Sequence, residues 1–145
     1  MLKSKAQAVS GLTGGIEYLF KKNKVDYLKG WGKFSSANEI AVDLNDGKST
    51  SISAKNIIIA TGSEPNSLPA STGLALDEEY VISSTGALSL KQIPKKMIVV
   101  GGGVIGLEMA SVYSRLGTEV HVVEYADRCS PFIDKEIGTA FIKTL

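Results

Sequence analysis

A glycine loop from Gly101 to Gly106, with the spacing G-x-G-x-x-G, carries the strongest chemical signal in this sequence. In dinucleotide-binding folds the first glycine of such a loop permits a tight turn from strand to helix. Gly103 has no side chain, so a pyrophosphate can approach the backbone, and Gly106 lets the helix lie close to the strand. The N–H groups near Val104 and Ile105 then point at the phosphates, helped by the helix dipole. The loop therefore predicts a dinucleotide-binding site.

An acidic residue, Glu124, follows the loop at the spacing of roughly 20 residues that dinucleotide-binding folds use, at the end of the next predicted strand. A carboxylate there accepts hydrogen bonds from the adenosine ribose hydroxyls and repels a 2′-phosphate. The residue therefore favours NAD over NADP. A glycine-rich turn without a ligand would share the loop pattern, but the apolar strand before it and the amphipathic helix after it favour the binding site.

Other reactive side chains are scarce, because the chain has one cysteine, Cys129, and one histidine, His121. An internal disulfide and a zinc site built on paired cysteines are therefore excluded. We interpret Cys129 as a structural or surface residue, since a reactive thiolate needs an electropositive, accessible setting. We interpret His121, on a predicted strand, as a packing residue. The composition predicts a binding segment with no catalytic residue and no metal site.

The charge balance and hydropathy exclude two classes of partner. Sixteen basic residues face fifteen acidic ones, which leaves a formal net charge of +1. This balance provides no electrostatic footprint for nucleic acid or for an anionic membrane. No apolar run approaches the roughly 20 residues that a membrane span needs. We therefore expect neither nucleic acid nor a membrane as a partner.

The first part of the chain is predicted to form one helix and a set of short strands. Asp46-Gly47 predicts a hairpin turn, because these residues tolerate the positive φ that such turns require. The last strand is apolar on both faces, so we expect both of its faces to be buried. The predicted helix is Leu2–Lys22, and the predicted strands are Val25–Lys29, Glu39–Leu44, Ser49–Ser53 and Asn56–Ala60.

A turn-rich linker at Pro65–Gly73 separates this part from a second one, and we place a domain boundary there. The helix after the glycine loop has one apolar face made by Ile105, Met109, Val112 and Leu116. The other predicted elements are a short helix Thr85–Leu90 capped by Ser84, a strand Met97–Val100, a helix end at Gly117, a strand Glu119–Glu124 and a helical segment from about Asp134 to Leu145.

Several stretches outside the loop also have a recognisable pattern. They are Gly14–Phe20, Gly30–Phe34, Asn56–Glu64, Ser83–Leu90 and Val99–Glu108. On these stretches the sequence resembles the dihydrolipoamide dehydrogenase family of flavin disulfide reductases, and the likeness covers essentially the whole chain. The Ala-Thr-Gly-Ser sequence is shared widely among flavin disulfide reductases, whereas Ser-Ser-Thr-Gly-Ala-Leu is more particular to this family.

The resemblance implies an α/β protein with partial FAD- and NAD(P)-binding Rossmann-type domains and a small antiparallel β-meander. Residues 1–64 would form the C-terminal part of the FAD-binding domain. Residues 65–145 would form a linker and the N-terminal part of the NAD-binding domain. The implied activity passes electrons from dihydrolipoamide through a redox disulfide and FAD to NAD.

The resemblance also implies which residues contact each cofactor. Gly32 matches a backbone contact to the FAD adenine, and Thr61, Gly62 and Ser63 match the second FAD-binding turn. Glu108 matches a glutamate that lies near the flavin and the nicotinamide in this family. The implied NAD site comprises Gly101, Gly103, Val104, Ile105, Gly106, Glu108 and Glu124.

Two features of the family are missing from this sequence: the first glycine loop with its paired redox cysteines, and the interface domain with its catalytic histidine and glutamate. We therefore expect the chain to correspond to the middle of the enzyme, to be inactive by itself, and to bind FAD weakly or not at all. Any targeting segment of the natural protein would lie upstream of Met1.

The implied partners are the dihydrolipoyl domain of 2-oxo acid dehydrogenase complexes and, for the full-length enzyme, a second copy in a homodimer. The implied compartment is the mitochondrial matrix in a eukaryote and the cytoplasm in a bacterium. Two alternatives stay open: another disulfide reductase, such as a glutathione- or mercuric-reductase-like enzyme or an NADH oxidase, and a nucleotide-binding remnant without catalysis.

Overall fold

The computed structural model of the chain describes residues 1–144 and divides into two compact units, Met1–Gly62 and Ser63–Leu145. The boundary expected from the sequence lies after residue 64. The assignment of the two parts to an FAD-binding and an NAD-binding domain stays a prediction. The predicted end of the last helical segment, Leu145, lies outside the described residues. Across the described part of the chain, no helix is both long enough and apolar enough to span a membrane.

The first unit begins with α1, Leu2–Lys22, which has the bounds predicted from the sequence. None of its residues is buried, and the apolar side chains at helical spacing are between 51% and 72% exposed: Val9, Leu12, Ile16 and Leu19. Its contacts with the segment that follows include the Phe20 ring beside the Tyr27 ring, with centroids 5.1 Å apart, and the Lys29 ammonium bonded to the Glu17 carboxylate at 2.6 Å. At its C-terminal end the Asn23 side chain donates to the Leu19 carbonyl oxygen at 2.8 Å.

A three-stranded antiparallel sheet follows, with β1 at Gly30–Ser36, β2 at Glu39–Leu44 and β3 at Ser49–Ser53, in the order β1-β2-β3. The bounds predicted for β2 and β3 are confirmed. The predicted turn is also confirmed: Gly47 has φ +86°, and the Asp46 carboxylate accepts from the Lys48 N–H at 3.1 Å. The sheet is the small antiparallel meander implied by the family resemblance.

Two predicted strands of this unit are wrong. Residues 25–29 form no ladder, because Gly30 pairs with Leu44, the last residue of β2, and the residues before Gly30 extend beyond the partner strand. Residues 56–60 are also irregular, and Ile58 is 89% exposed where burial on both faces was expected. Within the described residues, no strand lies beside this segment to bond its backbone or cover its side chains.

The second unit contains the β-α-β arrangement predicted around the glycine loop. Strand β4, Lys96–Val100, leads through the loop into a helix, and strand β5, Glu119–Val123, returns parallel to β4. The two strands pair in register from Lys96–Glu119 to Val100–Val123. A parallel pair joined by a helical crossover is the unit of α/β folds, so the predicted fold class is confirmed.

Three shorter elements complete this unit. A single 3₁₀ turn forms at Ala70–Thr72 inside the predicted linker. Helix α2 covers Ser84–Ala87, and its cap is Ser83, one residue before the predicted cap, because the Ser83 hydroxyl accepts from the Gly86 N–H at 3.1 Å. The helix between the strands is α3, Val104–Arg115, and the last helix is α4, Lys135–Ile142, capped by the Asp134 carboxylate. The helical start predicted at about Asp134 is therefore confirmed.

The core of the second unit lies on a different face of α3 from the apolar face marked by its sequence. The buried residues are Leu107, Ala110 and Tyr113, each at most 9% exposed. The predicted apolar face is more open, since Ile105 is 61% and Val112 is 42% exposed. The reason is that α2 and the two strands all contact α3, and these contacts select the face that is buried.

Helix α3 ends at Gly117 as predicted. Gly117 has φ +93°, a left-handed conformation that glycine adopts at little cost. The N–H groups of Gly117 and Thr118 donate to the carbonyl oxygens of Ser114 and Tyr113, both at 3.0 Å. These bonds satisfy two of the carbonyl groups that the last helical turn would otherwise leave unpaired.

We expect the Tyr113→Phe substitution to lower the free energy of unfolding of the second unit by about 1.5 kcal/mol. The buried Tyr113 hydroxyl donates to the Ala87 carbonyl oxygen and so ties α3 to α2, and burial raises the pKa of this phenol. Its removal leaves the carbonyl of Ala87 without that donor. Urea unfolding followed by peptide-resolved hydrogen exchange measures the change. Tyr80→Phe is the matched control, because Tyr80 is 85% exposed, and an unchanged Tyr113→Phe midpoint would contradict the prediction.

Candidate dinucleotide-binding site

The glycine loop turns sharply between β4 and α3 in the second unit. Gly101 has φ +107°, a conformation that residues with a side chain rarely adopt. Its N–H donates to the Val123 carbonyl oxygen at 2.8 Å, which fixes the start of the loop against the end of β5. The turn predicted for the first glycine is therefore present, at the carboxyl end of the parallel strands where ligands of α/β folds bind.

Gly106 and Gly103 meet different surroundings. A Cβ atom at Gly106 would overlap the Gly101 carbonyl oxygen and lie 3.2 Å from Val99 Cγ1, so this glycine allows α3 to pack against the strand. A Cβ atom at Gly103 would have nothing within 4 Å, so the backbone there is open to approach. These surroundings fit the two predicted tasks, close packing at Gly106 and ligand approach at Gly103.

The N-terminus of α3 offers hydrogen-bond donors and a partial positive charge, both of which a phosphate needs. Gly103 is the N-cap residue, with φ −77° and ψ −179°, and no side chain caps the helix. The first N–H groups of a helix have no acceptor within the helix, and the helix dipole adds the equivalent of roughly half a positive charge there. Val104 and Ile105, which begin the helix, are 52% and 61% exposed. A pyrophosphate fits this end of the helix by charge and by hydrogen bonding.

Glu124 holds the loop by a contact that the sequence did not reveal. One carboxylate oxygen accepts from the Gly102 N–H at 2.6 Å, and the other accepts from the Ala126 N–H at 2.8 Å. Hydrogen bonds from the N–H groups of Ala126 and Gly102 lower the pKa of Glu124 below its usual value. A carboxylate offers about four acceptor positions, so these bonds leave room for the predicted ribose hydroxyls. One signal in the sequence could have predicted the bond to Gly102. It is the position of an acidic residue directly after the strand that pairs with the one before the glycine loop.

We expect the stability that Glu124 gives the loop to be lost in acid. Its pKa is lower in the folded chain than in the unfolded chain, so the contribution is complete above the unfolded value and disappears as the pH falls through the folded value. Thermal unfolding of wild type and Glu124→Gln, measured from about pH 7 down to about pH 3, tests this. The difference between the two should be largest at neutral pH and shrink in acid. A pH-independent difference would contradict the prediction.

Glu108, the other predicted acidic residue of the site, lies exposed in the first half of α3. The structure therefore places it on the helix that the loop begins, without showing a ligand contact. His121 is exposed on β5, and its Nε2 atom lies 3.1 Å from a carboxylate oxygen of Glu119, so its interpretation as a packing residue is wrong. Hydrogen bonds from His121 and Lys96 lower the pKa of Glu119.

Cys129 is half-buried, and its Sγ atom lies 2.6 Å from the position that a Cβ atom of Gly102 would occupy. The only thiol therefore packs against the glycine loop, which agrees with a structural role. No group of three or more histidine, cysteine, aspartate or glutamate residues that could hold a metal occurs among residues 1–144.

The residues predicted to contact FAD lie on β1 and around the chain boundary between the two units. Gly32 lies on β1 opposite Val42, and a Cβ atom there would lie 3.3 Å from Ile40 Cγ2. Thr61 and Gly62 are irregular, with Gly62 at φ +77°, and Ser63 belongs to the second unit. Among the described residues of the first unit, no hydrogen bond joins Gly32 to the turn. The FAD contacts therefore stay a prediction.

Comparison with known proteins gives a family match and close relatives. The pyridine nucleotide-disulphide oxidoreductase family model matches residues 2–145. The chain is 58% identical to a dihydrolipoamide dehydrogenase of Chaetomium thermophilum, 57% to a mitochondrial dihydrolipoyl dehydrogenase of Dictyostelium discoideum and 52% to dihydrolipoyl dehydrogenase 3 of Pseudomonas putida. Each match covers 100% of this chain but 28%, 29% and 30% of the relative, respectively. The chain therefore spans less than a third of the length of these relatives.

Proposed function

Because the chain belongs to the pyridine nucleotide-disulphide oxidoreductase family, as its motifs indicated, we propose that it supplies the NAD-binding loop of a dihydrolipoamide dehydrogenase. In this proposal the enzyme passes electrons from dihydrolipoamide through a redox disulfide and FAD to NAD. The names of the three relatives support the choice of activity. The family supports a pyridine nucleotide as the cofactor of this loop.

The proposal depends on two neighbouring glycines of the loop: one has open space beside its backbone, and the N–H of the other is bonded to a carboxylate. The backbone at Gly103 is open within 4 Å, and the neighbouring Gly102 N–H is held by the Glu124 carboxylate. An open backbone at the N-terminus of α3 allows a pyrophosphate to reach the N–H groups there. The carboxylate beside it favours ribose hydroxyls and disfavours a 2′-phosphate. This combination supports NAD.

The residues of this chain act in the proposed reaction by binding and orientation. NAD supplies the hydride-accepting ring. The N–H groups at the start of α3 bind the pyrophosphate, and Glu124 orients the adenosine ribose while it holds the loop. Glu108 is proposed to lie near the nicotinamide, and Gly32, Thr61, Gly62 and Ser63 are proposed to contact FAD. Since the chain has one cysteine, the redox disulfide would come from residues other than these 145.

The proposed partners follow from the same activity. They are the dihydrolipoyl domain of a 2-oxo acid dehydrogenase complex and a second copy in a homodimer. Several relatives carry the word mitochondrial in their names, among them the proteins of Dictyostelium discoideum and Pisum sativum. We propose the mitochondrial matrix as the compartment in a eukaryote and the cytoplasm in a bacterium.

Titration of the chain with NADH and NADPH, followed by nucleotide fluorescence, tests the cofactor assignment. We expect NADH to bind at least about tenfold more tightly than NADPH, because Glu124 repels the added phosphate. Equal affinity for both nucleotides, or no binding of either, would overturn the assignment. The same chain mixed with FAD is expected to hold little flavin, and a stoichiometric yellow complex would contradict that expectation.

A second candidate function, nucleotide binding without catalysis, is favoured by one observation: the chain carries a dinucleotide loop and a single cysteine. The two candidates differ in the native protein isolated from its source. Formation of NADH from NAD on addition of dihydrolipoamide supports the dehydrogenase. Binding of NADH without this reaction supports the second candidate.

A further inference from the structure

The peptide groups of Gly102 are held on both sides by residues that follow β5. Its N–H donates to Glu124, and its carbonyl oxygen accepts from the Ser130 N–H at 2.8 Å and from the Ser130 hydroxyl at 3.3 Å. The Cys129 side chain fills the space beside its Cα atom. Gly102 is therefore the point at which the segment after β5 fixes the glycine loop.

Ser130 adopts a conformation that needs a compensating interaction. Its φ is +47°, in the left-handed region, where a residue with a side chain costs roughly 1–2 kcal/mol. It is also 3% exposed. Such a conformation persists where surrounding contacts hold it, and it is frequent at ligand-binding sites. Here the contacts are the two hydrogen bonds to the Gly102 carbonyl oxygen.

The turn around Ser130 is closed by its own neighbours. The Arg128 guanidinium donates to the Pro131 carbonyl oxygen at 2.8 Å, and the Ile133 N–H donates to the Ser130 carbonyl oxygen at 3.1 Å. These two bonds hold the backbone on each side of Ser130. The Ser130 N–H therefore has a defined direction toward the loop.

Peptide geometry connects this contact to the binding site. The Gly102 carbonyl and the Gly103 N–H belong to one planar trans peptide, so they point in opposite directions. When Ser130 holds the carbonyl oxygen, the Gly103 N–H must point away from Ser130. Rotation of this peptide would change the direction of the Gly103 N–H at the N-cap of α3. The Ser130 contact thus sets the direction of a donor that Ser130 itself does not touch.

We propose that Ser130 is a positioning residue for the dinucleotide: its left-handed turn holds the Gly102 carbonyl and thereby aims the Gly103 N–H at the pyrophosphate. The proposal rests on the proposed function for its ligand. The ladder between β4 and β5 does not include Ser130. A variant at this position therefore should change the loop before it changes the sheet.

The test compares Ser130→Val with Ser130→Gly in the full chain. A β-branched residue disfavours positive φ, so valine should move the N–H away from Gly102. Glycine adopts positive φ freely and keeps the N–H, so it is the matched control that loses only the hydroxyl and its longer hydrogen bond. For the valine variant we expect the Kd for NADH to rise about tenfold, and for the glycine variant to stay within about threefold of wild type.

Hydrogen exchange provides a readout without nucleotide. In the valine variant, amides of residues 101–107 should exchange faster, while those of β5 and α4 stay unchanged. If the valine variant does not fold, Arg128→Gln should show the same pattern more weakly, because it removes the bond to Pro131. Unchanged exchange and affinity in a folded valine variant would overturn the proposal, as would an equal loss in the glycine variant.

The same data separate this proposal from the NAD assignment. The valine variant could show faster loop exchange while the wild type fails to bind NADH. That result would support the role of Ser130 in positioning the loop and reject NAD as the ligand. Tight NADH binding by both the wild type and the valine variant would reject the positioning role of Ser130 and support NAD as the ligand.

Discussion

The Gly106→Ala variant is expected to lose about 2 kcal/mol of the free energy of unfolding of the second unit. The added methyl group would overlap the Gly101 carbonyl oxygen, which is a backbone atom and cannot rotate aside. Overpacking of this kind costs about 3 kcal/mol. Replacement of a helical glycine by alanine returns about 1 kcal/mol through helix propensity. The overlap is the larger effect, so α3 has to shift away from β4.

Peptide-resolved hydrogen exchange in increasing urea measures this loss for β4, α3 and β5 separately from the first unit. Gly103→Ala is the control, since it makes the same chemical change in the same loop with nothing within 4 Å of the new atom. The control should unfold within about 0.5 kcal/mol of wild type. Equal stability of the two variants would mean that the close approach at Gly106 does not hold the helix in place.

The Gly103→Val variant is expected to lose about a hundredfold in affinity for NADH while it keeps its fold. The backbone at Gly103 is extended, with φ −77° and ψ −179°, which valine adopts readily. The branched side chain would occupy the open space at Gly103 through which we propose that the pyrophosphate approaches. The cost therefore falls on binding and not on stability.

Nucleotide fluorescence titration and thermal unfolding, measured on the same preparation, separate these two effects. Gly117→Ala is the matched control, because Gly117 lies at the other end of α3 and its positive φ makes its cost a stability cost of about 1 kcal/mol. That control should bind NADH as wild type does. Wild-type affinity in Gly103→Val would show that the ligand does not approach the backbone at this glycine.

Elements governed by neighbouring residues could be predicted from the sequence. The hairpin from β2 to β3 follows from Asp46-Gly47 between alternating residues, and the glycine loop follows from a strand, a spaced set of glycines and an amphipathic helix. Both depend on residues within a few positions of each other, so their pattern is visible in the chain. The length of α1 was predictable for the same reason.

Features that depend on distant residues could not be predicted. Apolar residues 56–60 have the composition of a buried strand, but a strand requires a partner, and the described residues provide none beside them. The face of α3 that is buried depends on α2, which lies earlier in the chain. The contact of Ser130 with Gly102 joins residues 28 apart, and its shorter hydrogen bond runs between backbone atoms, which leave no residue pattern to recognise.

The parallel pairing of β4 with β5 also sets the order in which the two units acquire their structure. Lys96 and Glu119 lie 23 residues apart and pair across the crossover that contains α3. The β2–β3 hairpin closes around Gly47 and needs no such crossover. Local pairings form in roughly microseconds, whereas pairings across long loops form more slowly. In a refolding experiment the antiparallel meander should therefore gain protection first, and the glycine loop should be among the last parts of the chain to form.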